Sequence, residues 1–211
     1  MMVLNIVLSG VGGQGILTLA QLIGRSALAH DVPVLIAETH GLSQRGGSVI
    51  VHVRLGRGVE APLIGEGMGD MLVSLELVEA ARYSPYLSKE SIAIVNDKLI
   101  RPSVPNIKMP ERDDVVEVLR QRSRELFLVK ASEIANEKGN PIGGNVVMFG
   151  YVTYILGRAG AYVVEEAEAE VSGLGRGKIA EVNKELFKIG YEKASREVSD
   201  PVISLIKAKL E

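Results

Sequence analysis

The chain has 211 residues, a formal net charge of −2 and 46% hydrophobic residues, which suits one sizeable domain with a packed core. The near-neutral charge, with no basic stripe interleaved with aromatic residues, argues against nucleic-acid binding. The absence of cysteine excludes disulfides, a thiolate nucleophile and any zinc or iron–sulfur site with cysteine ligands from this chain. No apolar stretch is long enough to span a bilayer and no signal-peptide pattern is present, so we expect a cytoplasmic protein without membrane contact.

Strand-like apolar runs alternate with helical patterns along the chain, which predicts an α/β fold built on a mostly parallel sheet. The first run, residues 3–8, leads through a glycine-rich turn into a helical pattern. Residues 33–37 are predicted to form a second, buried strand that completes a β-α-β unit. Residues 48–55 place valine at alternate positions, which predicts a third strand with two distinct faces.

The second half of the chain continues this alternation and ends in helix. Residues 56–69 contain five glycines, which predicts an exposed connection. Asp114 and Glu117 have the spacing of a capping box for a helix that runs to about residue 125. Asn145 is the expected N-cap of a helix over 146–156. The other predicted elements are strands at 71–75, 91–95 and 126–129, a short helix from Ser132 to before Gly139, and a helical tail over about 178–211. We therefore predict a single Rossmann-like layered domain over 1–211 with a helical C-terminal extension.

The glycine-rich turn has the sequence Gly-Val-Gly-Gly-Gln-Gly over residues 10–15, which fits the spacing G-x-G-x-x-G. A strand that turns through glycines into a helix exposes backbone N–H groups at the positive end of the helix dipole, where they hold an anion such as a phosphate. The alternative is that the glycines only let the strand and helix pack closely. Glu38 lies where a ribose-binding acid of a dinucleotide site is expected, but Gln14 adds a bulky amide at the helix start.

A second polar segment, residues 39–48, follows the second predicted strand. Because ligands of open α/β sheets bind beyond the carboxyl ends of the strands, this segment is predicted to face the glycine turn across a crevice. Arg45 offers a fork of donors to a phosphate or carboxylate, and His40 exchanges protons near neutral pH. A solvated turn has the same composition, so this segment alone does not establish a site.

No catalytic residue and no metal site are predicted in this chain. Residues 41–46 contain a serine, but the spacing G-x-S-x-x-G is one residue longer than a nucleophile elbow, and a strand follows instead of a helix. The histidines at 30, 40 and 52 lack metal-ligand spacing, and His52 is interpreted as a structural residue of its strand. The residues thus indicate an anion-binding crevice whose chemistry another subunit completes.

Together, the motifs at 10–15 and 40–48 resemble those of the small subunit of 2-oxoacid:ferredoxin oxidoreductases. The segment His-Gly-Leu-Ser-Gln-Arg-Gly-Gly-Ser48 is similar to the arylpyruvate, or indolepyruvate, type. Residues 70–76, 145–150 and 183–190 also resemble positions of this family, so the similarity covers nearly the whole chain as one gamma-type domain.

This resemblance implies a reaction in which an arylpyruvate and coenzyme A give an acyl-CoA, carbon dioxide and reduced ferredoxin. It implies that the chain is inactive alone and binds no cofactor by itself, with coenzyme A as co-substrate. A large alpha subunit would carry thiamine diphosphate and the iron–sulfur clusters and would pass electrons to ferredoxin. The implied cofactor-binding residues are Gly12, Gly13, Gln14 and Gly15 on one wall, and His40, Gln44, Arg45, Gly46 and Gly47 opposite.

Two other functions stay open on the residues alone. The first is an NAD-dependent dehydrogenase that uses the glycine turn and Glu38, which a titration with NADH would test. The second is a regulatory module that binds a nucleotide or coenzyme A without taking part in a reaction.

Overall fold

The computed structural model describes residues 3–40, 46–101 and 108–211, with His40 described by its backbone only. The strands are β1 (Leu4–Val11), β2 (Val34–His40), β3 (Ser48–Leu55), β4 (Gly69–Ser74), β5 (Leu87–Asn96) and β6 (Glu125–Val129). The helices are α1 (Ile16–Ala29), α2 (Leu77–Tyr83), α3 (Arg112–Arg122), α4 (Ala131–Glu137), α5 (Gly144–Ala159), α6 (Val164–Ser172), α7 (Lys178–Glu197) and α8 (Asp200–Lys207), with a 3₁₀ turn at Ser84–Tyr86. The predicted α/β fold is confirmed.

The six strands form one sheet in the order β2-β3-β1-β4-β5-β6. The pairs β1–β4, β4–β5 and β5–β6 are parallel, whereas β3 is antiparallel to both of its neighbours. Within this sheet, β3 alone opposes the other strands, so the mostly parallel sheet that the sequence predicts is confirmed. The carboxyl ends of β1, β4, β5 and β6 consequently meet at one edge.

Side chains alternate across the sheet and supply two apolar layers. In β1, Leu4, Ile6 and Leu8 join the larger cluster, which contains the buried residues of α1 and α4 to α8. Val7 faces the opposite layer, where it packs with residues of α2 and α3. Because α5 lies in the middle of the larger layer, it is buried on most of its circumference.

The second strand differs from its prediction. β2 is an edge strand that extends to residue 40, and its residues Leu35 and Ile36 are each 37% exposed. The predicted burial of this strand was wrong. In addition, β1 and β2, the two strands of the β-α-β unit, are not neighbours in the sheet, because β3 lies between them. An apolar run of this length does not itself reveal whether one or both of its edges are paired.

Two predicted helix caps were also wrong. Helix α3 begins at Arg112 after Glu111, so Asp114 lies inside the first turn, where its charge still favours the helix dipole. Helix α5 begins at Gly144 after Gly143, and Asn145 instead donates a hydrogen bond to the Gly15 carbonyl at 3.3 Å. A tertiary partner at the start of α1 therefore replaces the local capping contact.

The connection over 56–69 is largely exposed, as predicted, and is anchored by Ile64, which is 5% exposed. The Ile64 N–H donates to Nδ1 of the buried His52 at 3.3 Å. Burial lowers the pKa of His52, which keeps its ring neutral and fit for this bond. The structural role predicted for His52 is confirmed.

The C-terminal extension consists of two helices, α7 and α8, which pack on α5. Pro201 lies in the first turn of α8, where its missing N–H costs no hydrogen bond. Helix α7 ends at Glu197, and the backbone is extended at Val198 before α8 begins. In the part of the chain that the structure describes, no helix combines the length and apolarity that crossing a membrane requires.

Candidate functional site

The site lies at the sheet edge where β1, β4, β5 and β6 end, the position at which open α/β sheets hold ligands. A cavity of about 170 Å³ opens here between the glycine turn, the segment after β5 and the start of α5. Its described lining consists of Gly13, Gln14, Leu75, Asn96, Lys98, Ile100, Ser132, Pro141, Ile142, Gly144 and Asn145.

Gln14 fastens the glycine turn to the neighbouring strand. Its Oε1 accepts from the Val11 N–H at 2.7 Å, and its Nε2 donates to the Leu75 carbonyl at 2.8 Å. Asn96 donates to the same carbonyl at 3.0 Å and to Ser132 Oγ at 2.8 Å. The ends of β1, β4 and β5 are thus joined through one carbonyl oxygen, and the Gln14 amide builds the wall of the cavity through these internal bonds.

The start of α1 follows directly after Gly13 and Gln14, which line this cavity. Gly15, the N-cap, has a φ of 81°, a left-handed conformation that glycine adopts without a Cβ penalty. The first N–H groups of a helix have no partner within the helix and carry its positive dipole end. Gly144 and Asn145, at the start of α5, line the cavity themselves, so one helix N-terminus lines it and the turn before a second helix adjoins it.

A second cavity, of about 420 Å³, adjoins the first and shares Gly13, Gln14, Ile142 and Asn145 with it. It extends towards Leu174 and Ile179 and is lined largely by glycine and aliphatic side chains. Ile142, at the boundary of the two cavities, is 80% exposed. An extended ligand with an anionic part and an apolar part would match this pair of cavities.

The described part of the second motif adjoins the glycine turn directly. The Gly12 N–H donates to the Gly47 carbonyl at 2.8 Å, and the Gly46 N–H donates to the Gly12 carbonyl at 3.2 Å. These bonds continue the antiparallel pairing of β1 with β3, so the two motifs are side by side at this point. Gln44 and Arg45 lie outside the described residues, and so does the His40 side chain, so the roles of these residues stay predictions.

Behind the second motif lies a polar cluster that sequence reasoning missed. Ser48 Oγ donates to the Glu79 carboxylate and is 2.8 Å from the Tyr83 hydroxyl. Arg82 Nε donates to the other carboxylate oxygen of Glu79 at 3.1 Å. Helical spacing places Glu79, Arg82 and Tyr83 close together, but no local signal pairs them with Ser48. The cluster fixes the beginning of β3 to α2.

Glu76 was also missed, although its position after β4 would have suited a site residue. It is 1% exposed and accepts from the Glu79 N–H at 2.7 Å as the N-cap of α2. Its other oxygen accepts from the Ile100 N–H at 3.0 Å, and the Leu77 N–H donates to the Lys98 carbonyl at 3.0 Å. Glu76 thus holds the segment after β5 against the start of α2. Burial raises the pKa of Glu76 more than these hydrogen bonds lower it.

Replacing Glu76 with glutamine should give a variant whose stability, relative to the wild type, increases with pH. A carboxyl with a raised pKa in the folded chain favours folding below its ordinary pKa, and that contribution is lost as pH rises through the folded value. The glutamine amide does not ionise, so the difference in free energy of unfolding should move in favour of Glu76→Gln between about pH 4 and about pH 7. Urea denaturation across this range measures it. Glu60→Gln, at an exposed carboxyl in the 56–69 connection, is the control for the substitution itself, and a Glu76→Gln difference that does not change with pH would contradict the prediction.

Gly69-Asp70 is a Gly-Asp pair like the one that begins a thiamine diphosphate motif, but the glycine and the paired asparagines of that motif do not follow it. The chain's own residues do not fit thiamine diphosphate or a metal centre there. Gly69 and Asp70 begin β4, at the sheet edge opposite the glycine turn. The Asp70 carboxylate accepts from the Asn5 N–H at 2.9 Å and pairs with Lys209 at 3.0 Å, so it is engaged in tying the C-terminus to the sheet. Among the described residues, no three His, Cys, Asp or Glu side chains are grouped so that they could hold a metal ion.

Comparison with known proteins decides the family. Residues 5–193 match the pyruvate ferredoxin/flavodoxin oxidoreductase family. The chain belongs to this family. It is 42% identical to indolepyruvate oxidoreductase subunit IorB of Archaeoglobus fulgidus, over 90% of this chain and 95% of that protein. The predicted resemblance to small subunits of 2-oxoacid:ferredoxin oxidoreductases is confirmed.

Solved structures of this family share the fold. The gamma subunit of a keto/oxoacid ferredoxin oxidoreductase from Geobacter sulfurreducens superposes with a TM-score of 0.65 at 22% identity, covering 92% of this chain and 99% of that one. The 2-oxoglutarate:ferredoxin oxidoreductase of Magnetococcus marinus, solved with 2-oxoglutarate, coenzyme A and succinyl-CoA bound, gives a TM-score of 0.67 at 17% identity. It covers 95% of this chain but only 32% of that chain, so there the same fold is one part of a longer polypeptide.

Proposed function

We propose that this chain is the site-completing small subunit of an arylpyruvate ferredoxin oxidoreductase, with indolepyruvate as the leading substrate. The complex would convert the 2-oxoacid and coenzyme A into an acyl-CoA and carbon dioxide and pass the electrons to ferredoxin. The observation that carries this proposal is the 42% identity to a subunit of indolepyruvate oxidoreductase over nearly the full length of both chains.

The chemistry would be divided between two subunits. A chain without cysteine supplies no thiolate to an iron–sulfur cluster. Asp70, in the Gly69-Asp70 pair, already accepts a hydrogen bond from Asn5 and forms an ion pair with Lys209. We therefore assign thiamine diphosphate and the clusters to a large alpha subunit, through which ferredoxin is reduced. A single gamma-type domain and a cytoplasmic location complete the proposal, and both rest on the sequence.

Coenzyme A is the proposed co-substrate that contacts this chain. The Magnetococcus marinus relative was solved with coenzyme A bound, and the two adjoining cavities here offer an anion-friendly part and an apolar part. Of residues 12–15, Gly13 and Gln14 line both cavities, Gly15 lines the larger one, and Gly12 precedes them in the turn. In the proposal, Arg45 and its neighbours in the second motif add donors for the phosphates.

The dehydrogenase alternative has lost its structural support. In a dinucleotide-binding sheet, the strand that carries the ribose-binding acid lies next to the strand before the glycine turn. Here β3 separates β1 from β2, the strand of Glu38. Likewise, no feature of the described residues favours a purely regulatory module.

The purified chain alone should show no 2-oxoacid-dependent reduction of ferredoxin, whereas its complex with the large subunit should be active. We expect activity to require coenzyme A and to be higher with indolepyruvate than with pyruvate or 2-oxoglutarate. Spectrophotometric assay of ferredoxin or viologen reduction measures each condition, and the large subunit alone serves as the control. Turnover by the isolated chain would refute the proposal, as would a complex that is inactive with all three acids.

A further inference from the structure

Lys98 is the one charged side chain in the described lining of the 170 Å³ cavity. No carboxylate among the described residues forms an ion pair with it. Two acids that line an adjoining cavity together with Lys98 are already engaged, because Asp97 pairs with Arg112 at 2.6 Å and Glu133 pairs with Lys130 at 3.1 Å. Lys98 thus lies in the same cavity as these two carboxylates but forms an ion pair with neither of them.

The backbone that carries Lys98 is held on both sides. The N–H of the preceding residue, Asp97, donates to the Val129 carbonyl at the end of β6 at 2.8 Å, and the Lys98 carbonyl accepts from the Leu77 N–H at 3.0 Å. Two residues further on, the buried Glu76 carboxylate accepts from the Ile100 N–H. A lysine on a fixed backbone loses less conformational entropy on binding a ligand than one on a free loop.

The surroundings of Lys98 favour an anion over a cation. The described lining contains no Asp or Glu. It includes Gly144 and Asn145 at the start of α5, whose dipole end is positive, and Gly13 and Gln14, which precede α1. Asn96 has both ends of its amide engaged, with the Leu75 carbonyl and with the N–H and hydroxyl of Ser132. Lys98 is therefore the side chain of this wall that is left to neutralise a ligand charge.

We propose that Lys98 is a specificity-determining residue of the crevice that binds an anionic group of the ligand, either a phosphate or a carboxylate. The inference rests on the proposed function for the identity of the ligand, since coenzyme A would supply a phosphate and the 2-oxoacid a carboxylate. It assigns to this chain a charge contact outside both glycine-containing motifs.

A direct binding experiment tests the contact without any turnover. The complete purified chain is titrated with inorganic pyrophosphate at an ionic strength of about 20 mM, where exposed charges are little screened, and the melting temperature is followed. We expect pyrophosphate to stabilise the wild type and Lys98→Arg, and to stabilise Lys98→Ala at about tenfold higher concentration. Lys89→Ala is the matched control, because Lys89 is an exposed lysine near the beginning of β5, whereas Lys98 follows the end of that strand. Equal stabilisation of Lys98→Ala and wild type, or no stabilisation of the wild type, would overturn the proposal.

Kinetics of the complex with the large subunit then identify the anion. A KM for coenzyme A raised about tenfold in Lys98→Ala, with kcat within about twofold, assigns the contact to a phosphate. The same rise in the KM for the arylpyruvate assigns it to the carboxylate, and dephospho-coenzyme A separates the 3′-phosphate from the diphosphate. Both KM values within about twofold of the wild type would overturn the inference. An inactive wild-type complex would refute the proposed function, while the pyrophosphate titration would still judge Lys98.

Discussion

Replacing Gly190 with alanine should destabilise the chain by more than about 3 kcal/mol, the range of severe overpacking in a core. Gly190 of α7 and Gly150 of α5 face each other where the two helices cross. A Cβ at Gly190 would lie 2.0 Å from the Val147 carbonyl oxygen, and one at Gly150 would lie 2.0 Å from the Phe187 carbonyl oxygen. Backbone atoms cannot rotate out of the way, so the helices would have to separate and open the core around α5. The midpoint of urea denaturation, followed by circular dichroism, measures the loss.

Gly157→Ala is the matched control for this crossing. Gly157 lies on the same helix, α5, and the nearest atom to an added Cβ is the Tyr162 carbonyl oxygen at 3.5 Å, an ordinary contact. Because alanine is the better helix former, this variant should match the wild type or gain up to about 1 kcal/mol. If Gly190→Ala were as stable as Gly157→Ala, close approach of the two backbones would not be what requires glycine at 190.

The crossing illustrates which parts of the fold the sequence could predict. The tail was predicted to be helical because Ile179, Val182, Leu186 and Ile189 recur at helical spacing, and α7 confirms this. That spacing predicts a helix but not its buried face, because Leu186 is buried whereas Ile179 is 45% exposed. It also does not identify the helix that α7 meets. Gly150 and Gly190 lie in the segments 145–150 and 183–190, which resemble family positions, and the structure shows that they are the two glycines of the crossing. Contact between distant segments is a tertiary property that periodicity does not encode.

The same distinction between local and distant contacts applies to the site. The glycine turn was predicted because a strand, a G-x-G-x-x-G spacing and a helix follow one another within a short segment. Glu76 and Lys98 were missed because their roles depend on the packing of α2 against the segment after β5, which are distant in sequence. The strand over 48–55 was predicted, but its position between β1 and β2 was missed for a related reason, since a strand pattern does not show which strands it pairs with.

Gln14→Glu should damage both the turn and the ligand affinity of the crevice. The new carboxylate oxygen would replace Nε2, which donates to the Leu75 carbonyl at 2.8 Å, so two acceptors would face each other without a hydrogen. Loss of this bond, with its desolvated partners, should cost about 1–3 kcal/mol of stability. The added negative charge would also offset the positive charge of Lys98 in the cavity and so weaken the attraction of an anionic ligand. We therefore expect the activity of the complex at low coenzyme A concentration to fall by more than about tenfold.

Gln21→Glu separates the effect of charge from the effect of position. Gln21 is an exposed residue of α1, the helix that follows the turn, so this variant changes the net charge equally but leaves the Gln14 bonds intact. It should keep wild-type stability and activity. The defect of Gln14→Glu should also shrink at lower pH, because a protonated carboxyl regains an O–H donor for the Leu75 carbonyl. Denaturation and KM measurements on both variants across pH check this, and a Gln14→Glu defect that matches Gln21→Glu at every pH would mean that the bonds of Gln14 do not shape the crevice.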